Sequence, residues 1–350
     1  MREKKLPAII KQSKYLLSIF VSIISIIGLP GCEKETTSDD DLIGNWKRRS
    51  EFEGYGRTEG VSFTIGSKVY VGSGFDGSSR LNDFWSFDQT TGTWLRIADF
   101  PGTARNSAVA FSINGKGYFG TGYDENDNRL KDFWEYDPST NTWTRKADFG
   151  GSGRYNAVGF SIDTKGYIGT GYDGNYLKDM WQYDPAADTW LQVASLTGSK
   201  RSDAVAFVHN NIAYIVTGLN NGSFLNDFWA YNPATNSWTE KRKINDVSDE
   251  EYDDDYDDNI KRSNATIFLM NSKAYLCGGN RGSVTGTTWE YDISNDTWTE
   301  KTGLEASARE GLLSFTLDGR GYIVTGSNSS YRFDDLWEFF PDEEQEDSDN

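Results

Sequence analysis

The sequence predicts an all-β fold, a six-bladed β-propeller with four antiparallel strands per blade, and three observations carry that prediction. A unit of about 48 residues recurs six times, a period in the range of propeller repeats. Inside each unit apolar residues alternate with a period of two, as in Val158 and Phe160 against Ala157 and Gly159, which marks strands. The two chain ends carry complementary fragments of one unit. Four-stranded units of this kind have two faces that they cannot bury alone, so the units must stack and the ring must close.

Each copy opens on an Arg, at Arg57, Arg105, Arg154, Arg201, Arg262 and Arg309, and six residues on stands a Phe: Phe63, Phe111, Phe160, Phe207, Phe268 and Phe315. Thirteen residues after the Arg comes a Tyr, at Tyr70, Tyr118, Tyr167, Tyr214, Tyr275 and Tyr322, with a Gly four further on. A Trp follows at Trp85, Trp134, Trp181, Trp229, Trp289 and Trp337, and nine beyond the first five lie Trp94, Trp143, Trp190, Trp238 and Trp298. In the third copy the expected strands are 157–161, 166–169, 180–183 and a short one at Trp190. The small residues of the first suit the crowded inner edge of a blade. Gly44-Asn45-Trp46-Lys47 matches the outermost strand of a unit with nothing before it, and Trp337-Glu338-Phe339-Phe340 is a third strand with no fourth. The N-terminal strand is therefore expected to pair with the C-terminal blade and complete it. All twelve Trp then sit at repeat positions, where they pack between blades.

Gly278-Gly279 and Tyr136-Asp137-Pro138-x-Thr140-x-x-Trp143 resemble the double glycine and the Y-D-P-x-T-x-x-W run of the kelch repeat. Other copies replace the first Gly, as in Thr121-Gly122 and Thr217-Gly218. The resemblance covers residues 45–340 and implies a kelch-type propeller similar to the central domain of galactose oxidase. That fold hosts many functions, so function must be argued from the site. The copper radical oxidases of this family hold copper with two His and two Tyr, one Tyr cross-linked to Cys. This chain has one His, His209, at a hairpin, and Cys277 falls in a strand as a core residue, so a copper centre of that kind is not expected. Zinc lacks ligands for the same reason, and no G-x-S-x-G elbow, P-loop or dinucleotide fingerprint occurs. No catalytic residue, metal or cofactor is assigned.

Residues 1–31 read as a signal peptide: a basic start, then an apolar run of 14 residues (16–29), too short to span a bilayer comfortably. Leu29-Pro30-Gly31-Cys32 resembles a bacterial lipobox, which implies lipidation at Cys32 and an exported protein anchored in the cell envelope. The acidic residues after Cys32 resemble surface-export signals, so an outer-membrane, surface-exposed placement is expected. Residues 32–44 form an acidic disordered tether and 341–350 an acidic disordered tail.

The net charge of −18 becomes −22 once residues 1–31, with five basic side chains and one acidic, are removed. The segments 245–259, 341–350 and 33–41 carry −9, −6 and −4, so the ring itself is nearly neutral. Nucleic acid needs a basic surface and is excluded as a partner. The segment 245–259 lies in the one long connection, 24 residues from Trp238 to Arg262 where the others take 11, and is read as a solvated acidic loop rather than a calcium site.

The channel mouth remains. Loops between second and third strands open there and vary while the strands do not, which is where a binding site is normally written. The six Arg stand at that mouth with Asp83, Asp132, Asp179, Asp227 and Asp335, and are expected to pair with them. Blade 5 has Thr287 instead, which makes Arg262 a ligand-binding candidate, with Arg309 beside it. Glu59, Ser107, Asn156, Asp203, Asn264 and Glu310 adjoin the Arg ring and vary, so Glu59, Asn156 and Asp203 are selectivity candidates. Stacking residues must come from Phe75, Tyr123, Tyr155, Tyr172, Tyr176, Phe224 or Tyr331, of which Tyr155, Tyr176 and Tyr331 have no counterpart in most copies. The expected function is non-catalytic binding of a protein or glycan at the mouth. The alternative is an envelope enzyme acting on sugars, such as a mutarotase or epimerase, with Glu59, Asp203 or Glu310 as acid and base.

Overall fold

The constant spacing from Phe to Tyr is a pairing rule. The innermost strand of blade 3, Val158–Ile162, turns directly into Lys165–Gly169, which sets Phe160 opposite Tyr167 with their rings 5.3 Å apart and 14° from parallel. The same cross-strand stack recurs in every blade, down to 4.7 Å and 4° for Phe207 and Tyr214. A second pair joins strands three and four. Tyr183 on Met180–Asp184 faces Trp190 on Thr189–Val193 at 4.9 Å. Such aromatic pairs add to the area they bury.

The outer Trp also ties blade to blade. Trp143 Nε1 donates to the Ala98 carbonyl at 3.0 Å, and Asn141 Oδ1 accepts both the Tyr136 hydroxyl and the Ala98 amide. Trp190 and Asp188 do the same on Ala147, and Trp238 and Asn236 on Ala194. The repeat motif is therefore an inter-blade hydrogen-bonding device built on a hairpin residue with positive φ.

The computed structural model describes residues 42–246, 248–253, 256 and 259–346. The signal segment, Cys32 and residues 33–41 lie outside them. Six four-stranded antiparallel sheets form the blades, in strand order from the channel outward. Blade 1 starts at Val61–Ile65, blade 2 at Val109–Ile113, blade 3 at Val158–Ile162, blade 4 at Val205–His209, blade 5 at Thr266–Met270 and blade 6 at Leu313–Leu317. These inner strands neighbour one another around the ring, including the first and the last. The expected strand bounds hold to within a residue or so at the inner three strands, and the outermost strand is longer than expected.

Closure is as expected. Asn45–Arg48 pairs with Leu336–Phe340, Trp46 opposite Phe339 and Arg48 opposite Trp337, in the register of the other blades. Trp46 is fully buried, 4.6 Å from the Phe339 ring. Residues 42–44 and 341–346 are described and dock on the outer rim: the Leu42 and Ile43 carbonyls accept from Thr302, Gly44 donates to the Glu343 carbonyl, and Glu343 pairs with Lys47. A fourth strand runs from the hairpin end of a blade towards the mouth, so the chain enters the propeller at Asn45 on the face away from the mouth.

The acidic insertion is not simply a solvated loop. Glu251–Asp253 forms a 3-10 turn, Asp253 and Tyr256 are buried, and Tyr256 packs edge-on against Trp289 at 5.9 Å and 82°. Two tyrosines among the acids give the segment apolar surface to bury. Asp254, Asp255, Asp257 and Asp258 lie outside the described residues.

Candidate functional site

The mouth is built on the glycine four residues after each repeat Tyr. Gly171 has φ +89°, and a Cβ there would lie 2.8 Å from the Tyr155 carbonyl. Only Gly tolerates both constraints. Its amide donates to the Arg201 carbonyl of the next blade, and the series continues around the ring until Gly326 donates to Arg57.

Each repeat Arg is fully buried. Its Nε donates to the carbonyl two residues before it and Nη1 to the carbonyl sixteen residues after, as Arg154 does on Ser152 and Thr170. In blades 1, 2, 3 and 6 an Asp takes the remaining donors as a fork, at 2.7 and 2.8 Å for Arg57 and Asp83. Asp227 takes Arg201 through one oxygen at 2.6 Å. The same five carboxylates accept the following Trp indole N–H at 2.7–2.8 Å. Burial alone would raise these carboxyls, but the Arg bonds and charge outweigh it and hold all five below the usual range. The expected Arg–Asp network is therefore present and structural.

Two site candidates lose their role here. Arg309 is sealed in its clamp with Asp335. Arg262 lacks an Asp but is not free: its donors go to the carbonyls of Ile260, Gly278, Asn259 and Thr287 and to Thr287 Oγ1. Burial, with Arg281 adding, pushes it down to about 9. Neither guanidinium reaches the mouth.

The residues two after each Arg form a closed throat: Glu59, Ser107, Asn156, Asp203, Asn264 and Gly311, all with φ between 52° and 60°. Each amide donates to the carbonyl of the preceding member, 2.8–3.3 Å, and Glu59 closes the circle onto Gly311. The sixth member is Gly311, not Glu310. Glu310 stands one residue earlier, pairs with Ser327 and accepts from Asn280 Nδ2. Throat residues and the inner strands enclose a channel cavity of about 310 Å³. Here three sequence candidates come together. Asn156 Nδ2 and Ser202 Oγ donate to Asp203, while Glu59 accepts from Ser107 Oγ at 2.5 Å and Asn106 Nδ2 at 2.6 Å. Burial, with the charges of Glu59 and Glu310 adding, pushes the Asp203 carboxyl up to about 7.

The aromatic candidates lie above the throat. Tyr123 stacks on Tyr155 at 4.9 Å, Tyr155 meets Tyr172 at 5.6 Å and Tyr172 meets Tyr176 at 5.1 Å, both edge-on. Tyr331 is 54% exposed and packs against Phe333. Phe224 closes a small hairpin with Leu219 in blade 4, away from this cluster.

Two groups escape the sequence reading. Phe52, Phe100, Phe149, Leu196, Ile244 and Leu304 stand six residues after the outermost Trp of each blade, all buried. Three of them lie beneath the repeat Arg as cation–π partners at 4.9–5.0 Å. Their constant spacing is a usable signal. Arg80, Arg129 and Arg332 also project at the mouth, each just before the residue that closes its loop, and only their recurrence in three copies marks them.

Comparison with known proteins agrees with this frame. The solved structure of YjhT is similar, with a TM-score of 0.68 at 16% sequence identity over 82% of this chain and 96% of that one. No curated protein matches the chain. The family model for the KLHDC2/KLHL20/DRC7 Kelch-repeats domain matches residues 48–202, 105–254 and 167–301 in overlapping registers. With its buried Arg rings, its glycine-borne mouth and this match across most of its length, the chain belongs to that kelch-repeat family.

Proposed function

We propose that this protein is a non-catalytic kelch propeller, exported and lipid-anchored at Cys32 in a bacterial cell envelope, that binds a protein or glycan partner at its channel mouth. Kelch propellers serve generally as protein-binding scaffolds. The observation that carries the reading is the tyrosine cluster Tyr123, Tyr155, Tyr172 and Tyr176, assembled over one sector of an otherwise repeated frame. Frame residues recur in every blade, whereas Tyr155 stands where the other blades carry polar side chains and Tyr176 where they carry Arg80, Arg129, Phe224, Val284 or Arg332, and neither is needed for closure. The test is capture of envelope components by the wild-type protein and by Tyr155→Ala with Tyr176→Ala. Truncating central aromatic anchors costs about 2 kcal/mol or more. A folded double variant that captures the same partner as strongly would move the site elsewhere.

A second reading rests on the channel cavity, where Asp203, its carboxyl pushed up by burial, stands three blades round the throat from Glu59. An acid and a base so placed suit a sugar mutarotase or epimerase. Anomer exchange followed by NMR, lost in Asp203→Asn, would support it; no exchange above the buffer rate with any of a panel of sugars would end it.

A further inference from the structure

Two tyrosines on the mouth face stand outside both the repeat and the tyrosine cluster. Tyr55 lies two residues before the repeat Arg, where the other copies have Ser, Thr or Ile, and Tyr331 lies just before the loop-closing residue, where they have Ser or Asn. Their side chains are 72% and 54% exposed, yet both backbones are pinned. The Tyr55 carbonyl accepts Arg57 Nε at 3.0 Å, and the Tyr331 amide donates to Asn328 Oδ1 at 2.9 Å. Gly56 brings the two segments together, because a Cβ there would lie 2.3 Å from the Arg332 carbonyl oxygen. Among the described residues Tyr55 meets no other ring, and Tyr331 meets Phe333 edge-on, which leaves its face open. The chain thus holds two large rings in water on rigid supports, where the fold has no use for them.

Both rings border a cleft of about 650 Å³ between blades 6 and 1, within the range of about 300–1,000 Å³ that small organic ligands occupy. Three charged side chains line it with hydrogen-bonding capacity unspent, and the rest of the wall is glycine and serine. Asp76 gives Oδ1 to the Ser78 and Ser79 amides at 2.7 Å and keeps Oδ2. The Asp334 carboxylate takes no hydrogen bond from another described residue, and burial holds it above its ordinary value. Arg332 lies over the Phe75 ring at 5.7 Å, with Nε buried and unpartnered and neither Nη spent on a described residue.

The chemistry of this lining selects its occupant. With two carboxylates and one guanidinium in the same cleft, a polyanion meets Asp76 and Asp334 and a polycation meets Arg332, so neither is favoured. Acceptors and donors side by side suit hydroxyl groups, each of which both donates and accepts. Tyrosine rings, apolar on the face and polar at the tip, suit a ligand with an apolar face and a polar edge. A pyranose ring has both properties.

We propose that the cleft between blades 6 and 1 binds an uncharged saccharide, with a sugar ring against Tyr55 and Tyr331 and its hydroxyls shared among Asp76, Asp334 and Arg332. The pinned backbones on either side reduce the ordering cost of binding. This site is separate from the tyrosine cluster of blades 2 and 3 and stands or falls apart from it.

Calorimetric titration of the full-length chain with cellohexaose, laminarihexaose, maltohexaose and mannohexaose tests the proposal, with a chitosan hexamer and hexagalacturonate as charged arms. At least one neutral hexasaccharide should bind, with an affinity nearly independent of salt. Tyr55→Ala combined with Tyr331→Ala should weaken it about tenfold or more. Tyr55→Ala alone, at an exposed position, should show a smaller loss and keeps the test free of folding effects, while Tyr55→Phe retains the ring and most of the affinity. Arg332→Gln and Asp334→Asn should each weaken binding as well. Failure of all four neutral hexasaccharides to bind, tighter binding of either charged arm, or unchanged affinity in a folded Tyr55/Tyr331 variant would each overturn the proposal. The Tyr155/Tyr176 variant should bind the same sugar as the wild type. If it loses the sugar while the Tyr55/Tyr331 variant keeps it, the mouth reading stands and the cleft inference falls; if it still captures the envelope partner while the Tyr55/Tyr331 variant loses the sugar, the reverse holds.

Discussion

Blade 5 offers a test of what the Arg–Asp clamp contributes. In five blades one carboxylate accepts both from a buried guanidinium and from the following Trp indole. Thr287 replaces it in blade 5, where the insertion supplies the Asn259 carbonyl to Arg262 Nη2 at 2.8 Å, but Trp289 Nε1 is left buried without a partner. Thr287→Asp should restore the clamp. An orphaned buried N–H costs about 1–3 kcal/mol, and hydrogen bonds to a charged group contribute about 1.5–3 kcal/mol. Against this stand the desolvation of the new carboxylate and the loss of the Thr287 hydroxyl bond to Arg262. A net gain of about 1–3 kcal/mol follows, which at this chain length raises Tm by about 1–2 °C per kcal/mol. Thr287→Asn, isosteric with the Asp variant but uncharged, should gain less. The reciprocal change, Asp179→Thr, recreates blade 5 where no insertion is present and should cost about 3–5 kcal/mol, because it strands a buried charge. The gain from Thr287→Asp should also disappear in acid: a carboxyl lowered by its Arg stabilises the fold above its unfolded pKa and ceases to do so as the pH falls through its folded value. Thermal melts at neutral and acid pH read all of these. A Thr287→Asp variant no more stable than Thr287→Asn would show that backbone carbonyls already satisfy Arg262, and the reasoning would fail.

Asp203 should behave in the opposite sense to the clamp carboxylates. Its folded pKa, about 7, lies above the ordinary 3.8, so its contribution to stability is complete below the unfolded value and is lost as the pH rises towards 7. Asp203→Asn should therefore be the more stable form at pH 8, by about 1–2 kcal/mol after allowing for channel water, and equal stability of the two proteins at pH 8 would show an ordinary carboxylate. Removing residues 42–48 strips the fourth strand from blade 6 and exposes an unpaired edge; light scattering should show aggregation, and a monomeric, fully stable truncation would contradict the closure. On the proposed anchoring, Cys32→Ser should move the protein from the membrane fraction to the soluble exported fraction. Retention in membranes after a high-salt wash would mean another tether.

The frame is legible because its residues act through pairings with fixed geometry. A two-residue hairpin makes Phe and Tyr cross-strand partners whatever lies between blades, and the Arg reaches an Asp one loop away, so both leave constant spacings in the chain. Site residues obey no such rule. Proximity to an Arg assigns Glu310 to the throat, whereas the left-handed position two residues on, held by Gly311, is what defines the ring. Arg262 looks free because the sequence shows a missing Asp but cannot show that backbone carbonyls take its place.

The aromatic candidates show the same limit from the other side. Tyr155 and Tyr176 stand out as residues without counterparts, and the structure does bring them together, but their contacts are with each other's neighbours. Edge-on contacts leave ring faces open, so the cluster can still stack a partner, while the neighbouring arginines add hydrogen-bond donors. These arginines lie in loops of differing length, where register with the repeat is lost and only three-dimensional neighbourhood reveals that each one crosses into the next blade. Function in this propeller is therefore written between blades, in contacts that no single repeat contains.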